Sequence, residues 1–159
     1  MAIQKNINSL ASIEEAEAHF AGRLNNSPWK TSKTPVKEAA LTTGTMLFND
    51  MRWSGVAISE SQPLAFPRIG QYFEPAQGRL VAFPSNTAPS RVLRGLFELV
   101  LHLIVNPDAM ETGSTLEELT VGPVELKGLR FASSVPSHVV HIISPVLESR
   151  GASIWWRAN

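Results

Sequence analysis

Cysteine is absent from the 159 residues, which excludes disulfides, zinc-thiolate centres and cysteine nucleophiles together. Neither sign of charge prevails: 14 basic residues meet 14 acidic ones, so a large positive surface wrapped on phosphate backbone is not expected, and only local patches remain open. Long apolar runs are missing too. The longest, Leu96 to Val105, is interrupted by Glu98 and His102 and falls short of the roughly 20 residues that span a membrane, while Met1 to Leu10 holds no apolar stretch of signal-peptide length. No membrane partner is expected. A Gly-rich phosphate loop, a nucleophile elbow and a His-Glu-x-x-His motif are all lacking, so the expectation is a protein without cofactor, metal or catalytic residues.

With 43% hydrophobic and 18% charged residues the chain is too apolar for disorder, and its length suits one domain over residues 1–159. Residues 1–11 read as an N-terminal extension and 118–159 as a C-terminal arm and tail. Ser12 followed by Glu15 has the form of a capping box, and Ile13, Ala16, Phe20 and Leu24 recur at helical spacing, which predicts a helix over Ser12–Leu24. Asn25-Asn-Ser-Pro28 breaks it, with Trp29 in a loop. Thr34-Pro35 opens a second helix to about Arg52, where Gly44 offers room for another helix to approach. From Trp53 to Pro89 the periodicity is lost among prolines and glycines, and a long ordered loop is expected. A third, central helix begins at Pro89-Ser90 and ends at Asn106-Pro107. Leu119 to Phe131 suggests a hairpin, Pro136 to Leu147 a short helix cut by Pro145. The fold class expected is therefore mainly α: a bundle of three or four helices with a long ordered loop and a β-hairpin-like C-terminal arm.

Several side chains invite a chemical reading. Glu14, Glu15 and Glu17 are better explained by the positive end of a helix dipole than as paired catalytic carboxylates. His138 and His141 lie three apart and His102 would make a third metal ligand, but nothing in the sequence brings them together, and the same holds for His19. Trp29, Trp53, Phe66, Tyr72 and Phe73 are candidates to stack on bases, with Arg52, Arg68 and Arg79 on phosphates. The alternative, favoured by the zero net charge, is that the aromatics hold the loop onto the helices while the arginines satisfy carbonyls. Gln62-Pro-Leu-Ala-Phe-Pro-Arg68 then forms a structural clamp of Gln62, Leu64, Phe66, Pro67 and Arg68, with Trp53 as its packing partner. Ile154, Trp155, Trp156 and Arg157 at the chain end have the composition of an interface anchor.

The blocks Ser12-Ile-Glu-Glu-Ala-Glu-Ala-His-Phe20, Trp29, Lys37-Glu-Ala-Ala-Leu41, Arg52-Trp-Ser-Gly55 and Gln62-Pro-Leu-Ala-Phe-Pro-Arg-Ile-Gly70 resemble, in that order, a phage protein family whose members carry the label DnaT-like single-stranded DNA-binding protein. In size and helix layout that family is in turn similar to the adaptors that form a ring beneath the portal of tailed phages. The resemblance implies a structural head-tail connector in the virion. It would be a ring of twelve copies with heterologous contacts, binding the portal and the tail or nozzle proteins and passing DNA without reading its sequence. The portal would be held by Ile154, Trp155, Trp156 and Arg157. A single-stranded DNA-binding replication protein is the alternative, and it expects binding to fail when Trp53 or Arg68 is changed. A small hydrolase using His102 or His141 is a third reading with no motif behind it.

Overall fold

The computed structural model describes residues 2–110 and 135–148. At its centre lies α4 (Ser90–Val105), where Val92, Leu96, Phe97, Leu99, Val100, Leu101 and Leu103 are all buried. Such a helix forms because Val, Leu and Phe recur at helical spacing after Pro89, and it stops because Pro107 cannot continue it. Against one side packs α3 (Thr34–Asn49), which Pro35 starts in its first turn. The two helices approach closely at Gly44, where a Cβ would sit 3.0 Å from Leu96 Cδ1 and 3.4 Å from Val100 Cγ2. On another side Gly95 gives the same proximity to α5 (Ser137–Ile143); a Cβ there would collide with Ile143 Cγ2.

α1 (Ile13–Ala21) carries the capping box in full: Glu15 N donates to Ser12 Oγ at 3.3 Å, and Ser12 N to Glu15 Oε2 at 2.8 Å. The helix ends at Ala21, short of the expected Leu24, which is 87% exposed and gains nothing from helical placement. The segment around Trp29, expected as loop, is a short helix α2 (Ser27–Thr31) with Pro28 in its first turn, and it buries Trp29 against Phe20 at 4.7 Å. Ser9, Leu10 and Ala11, within the expected N-terminal extension, are buried, and Leu10 N donates to Thr45 Oγ1 at 3.2 Å.

The expectation of a mainly α chain needs correction in the segment read as loop. Two antiparallel pairs lie there: β1 (Val56–Ala57) with β2 (Arg68–Ile69), and β3 (Gln71–Glu74) with β4 (Arg79–Ala82). Gly55, at φ +71° and with Ile69 O against the place of a Cβ, lets the first pair close. In the second, Tyr72 faces Val81, Phe73 faces Leu80 and Glu74 faces Arg79. With five α-helices and two small sheets among the described residues, the fold is mixed α/β. Pro and Gly here mark hairpin turns, not a lack of strands. The expected hairpin over 119–131 and the tail over 152–159 lie outside the described residues.

Candidate nucleic-acid interface

The residues expected to form a clamp do meet in space. Trp53 is buried, its indole N–H donating to Phe48 O at 2.6 Å, its ring 5.0 Å from Phe66 and 5.4 Å from Phe48. Phe66 continues to Phe83 and Phe83 to Tyr72, at 6.0 and 5.2 Å. Leu64 is buried beside them, and the Phe66–Pro67 bond is cis. Gln62 donates to the carbonyls of Leu64 and Pro67 at 2.6 and 3.1 Å. Arg68 donates to four more, those of Ser54, Ala65, Trp53 and Gly55, at 2.7 to 3.2 Å. A guanidinium with five N–H groups in a fixed fork suits a loop whose backbone bends away from its own partners.

This geometry sorts the aromatic and basic residues weighed for base stacking. Trp29, Trp53, Phe66 and Tyr72 are all buried, so none can receive a base; Phe73 is 49% exposed. Alternation along β3 turns Tyr72 and Glu74 inward and Gln71 and Phe73 outward. Opposite Phe73 stands Leu80, 63% exposed, and both members of the Val56–Ile69 pair are exposed as well. Of the arginines, Arg68 is committed to carbonyls, whereas Arg52 and Arg79 reach solvent. Of the substitutions expected to abolish DNA binding, that at Trp53 falls inside the fold, and that at Arg68 falls on a half-buried side chain already engaged with carbonyls.

Behind the hairpin tip, between it and the start of α4, opens a cleft of about 330 Å³ lined by Tyr72, Glu74, Gln77, Ser90, Arg91 and Arg94. The Glu74 carboxylate takes two N–H groups of Arg91, one of them at 3.2 Å, and accepts from Ala76 N at 3.1 Å. Arg91 holds the Glu74 carboxyl below the usual carboxylate range, and Glu74 in turn raises Arg91. Arg91 also donates to Ile142 O at 3.3 Å, which fastens the hairpin to α4 and α5. Arg79 donates to Gln77 Oε1 at 3.0 Å, and Arg94 is exposed. Neither Arg91 nor Arg94 stands out in the sequence, because they lie beside the apolar stripe of a helix whose pattern signals core.

The histidines do not form a three-ligand cluster, although His102 lies near enough to His138 to feel its charge. His19 lies 3.4 Å from Glu98, which Arg23 grips with two bonds of 2.7 and 2.8 Å; His102 sits beside Asn106, and His138 and His141 are exposed on α5. Among the described residues no three His, Asp or Glu side chains are placed to share a metal ion.

A family model described as "Putative DnaT-like ssDNA binding protein" matches residues 2–157. The chain belongs to this family. No curated protein and no solved structure matches the chain. Membership in the DnaT-like family over nearly the whole chain overturns the head-tail connector. The portal, the tail or nozzle proteins, the twelve-copy ring and the passage of DNA through a channel are withdrawn with it. The likeness to connectors lay in size and helix layout, which are shared by proteins of many functions. The partner assigned to Ile154, Trp155, Trp156 and Arg157 is withdrawn as well, and these residues lie outside the described ones.

Proposed function

We propose that the chain is a single-stranded DNA-binding protein, acting by binding and not by catalysis. The observation that carries this reading is the family match over residues 2–157. Phe73 is the candidate contact: its ring is open to solvent on the outer face of the β3–β4 hairpin, where a base can stack, with exposed Leu80 directly across the pair. Trp53, Gln62, Leu64, Phe66, Pro67 and Arg68 would serve as a clamp that holds this hairpin against the helices, an assignment supported by their mutual contacts and carbonyl bonds. The finer expectation of a helical bundle with a β-hairpin-like C-terminal arm is kept as part of the same proposal, with α5 assigned to the bundle.

The test is a fluorescence-anisotropy titration of a labelled thymidine oligonucleotide at two salt concentrations. Binding that weakens with salt is expected, and Phe73→Ala should weaken it roughly tenfold, since base stacking on an aromatic ring contributes about 1–3 kcal/mol. No binding at low salt would sink the proposal.

A further inference from the structure

Overall neutrality hides a local excess of positive charge around the hairpin tip. Among the charged groups lining the cleft, Glu74 takes two side-chain hydrogen bonds from Arg91 and also feels the charge of Arg94, so one carboxylate faces two guanidinium groups and Arg94, which bonds to neither carboxylate oxygen, carries the net positive charge. Arg79 adds a second cation at the tip, opposite Glu74. Neutral donors stand beside Arg94 in the cleft wall. Because Gln77 accepts from Arg79 through its amide oxygen, its NH₂ group retains two donors; Ser90 supplies a hydroxyl. Arginine, serine and glutamine are residue types that contact phosphate oxygens in DNA complexes. A volume of about 330 Å³ is some ten times a water molecule's share of liquid, enough for a phosphate and its sugar.

We infer that this cleft is a phosphate seat, in which Arg94, assisted by Ser90 and Gln77, holds one backbone phosphodiester of the bound strand. The inference rests on the proposed DNA-binding function and adds a second contact to it. Since Phe73 and the pair Tyr72 and Glu74 lie on opposite faces of β3, the stacking ring and the seat are separate surfaces, and a strand that uses both must pass the edge or tip of the hairpin. Stacking carries little salt dependence and a phosphate contact carries most of it, so the two are separable by experiment.

The measurement is the slope of log affinity against log salt for a labelled thymidine oligonucleotide, with the full chain and its Arg94→Gln, Arg94→Lys and Phe73→Ala variants. Loss of one phosphate contact should reduce the steepness of the slope by about 0.7 in Arg94→Gln. Arg94→Lys, which keeps the charge, should restore it, and Phe73→Ala should lower affinity with the slope unchanged. If the parent chain binds the oligonucleotide and Arg94→Gln leaves its slope unaltered, the seat is overturned while DNA binding stands. If the parent chain fails to bind oligonucleotide, inorganic phosphate is titrated against it and amide NMR shifts are followed. Shifts at Gln77 and Ser90 that vanish in Arg94→Gln would keep the seat for a free phosphate and remove the DNA reading; absent shifts would remove both.

Discussion

Arg68 shows how one side chain can fix a loop. Its guanidinium meets the carbonyls of Ser54, Ala65, Trp53 and Gly55, groups that a segment rich in Pro and Gly leaves without ladder partners. Arg68→Ala should cost about 1–2 kcal/mol, seen as a lower urea midpoint, because part-buried carbonyls lose their donor and even a fully buried unmet acceptor costs only about 1–3 kcal/mol. Lysine should not rescue it, since a point charge cannot reproduce the planar fork. Glu98 gives a second residue-scale expectation. Arg23 holds its carboxyl below the usual 4.5, so its ion pair stabilises the fold at neutral pH, and that contribution is lost as pH falls through and below the ordinary glutamate range. Thermal melts should show a smaller drop between pH 7 and pH 3 for Glu98→Gln than for the parent chain. That Arg68 would bond backbone carbonyls is legible in the sequence, because Gln62, two prolines and an arginine within seven residues leave few other ways to satisfy a backbone. The fate of the aromatics was not: periodicity is silent in a loop, and only the four-residue alternation of β3 separates exposed Phe73 from buried Tyr72.

Helices were easier to read than strands, for a reason visible in their lengths. α3 and α4 each run 16 residues and repeat their apolar spacing several times, whereas β1 and β2 hold two residues each and β3 and β4 four. A period of two cannot be recognised from two residues. The prolines around these strands were read as breaking structure, when Pro75 and Gly78 form the turn that joins β3 to β4. The short helix around Trp29 was missed for a related reason, since Pro28 ends one helix pattern and also begins the next. Packing between α4 and α5 provides the test at this scale. Gly95→Ala places a methyl group against Ile143 and should lower stability by about 1–3 kcal/mol through overpacking, measured by denaturant unfolding. Gly95→Ala combined with Ile143→Ala, which removes the Cγ2 methyl that the new Cβ meets, should cost less than the sum of the two single changes.

Net charge, a property of the whole molecule, argued against a nucleic-acid partner when taken by itself. Neutrality is a sum, and a sum of zero is compatible with Arg79, Arg91 and Arg94 gathered around a single Glu74 at the hairpin tip. The small size of that cluster limits what binding can look like. With Arg79 and Arg94 as the cations available there, the proposed DNA contact should give a salt slope between about −1 and −2, using roughly 0.7 per phosphate for single strands. A slope steeper than about −4 would place the main contact elsewhere on the chain.

The bonds between the end of the described chain and the loop after α3 have a consequence for biosynthesis. Ser54 donates twice to Val146 O, Glu148 N donates to Arg52 O, and Leu147 bridges Trp53, so residues nearly a hundred positions apart complete one another. A nascent chain halted before Ser137 would carry α4 with Gly95 and its neighbours bare, and the strap around Trp53 untied. Completion of the core on the ribosome should then wait for α5 to emerge, and until it does the partly made chain leaves apolar surface uncovered.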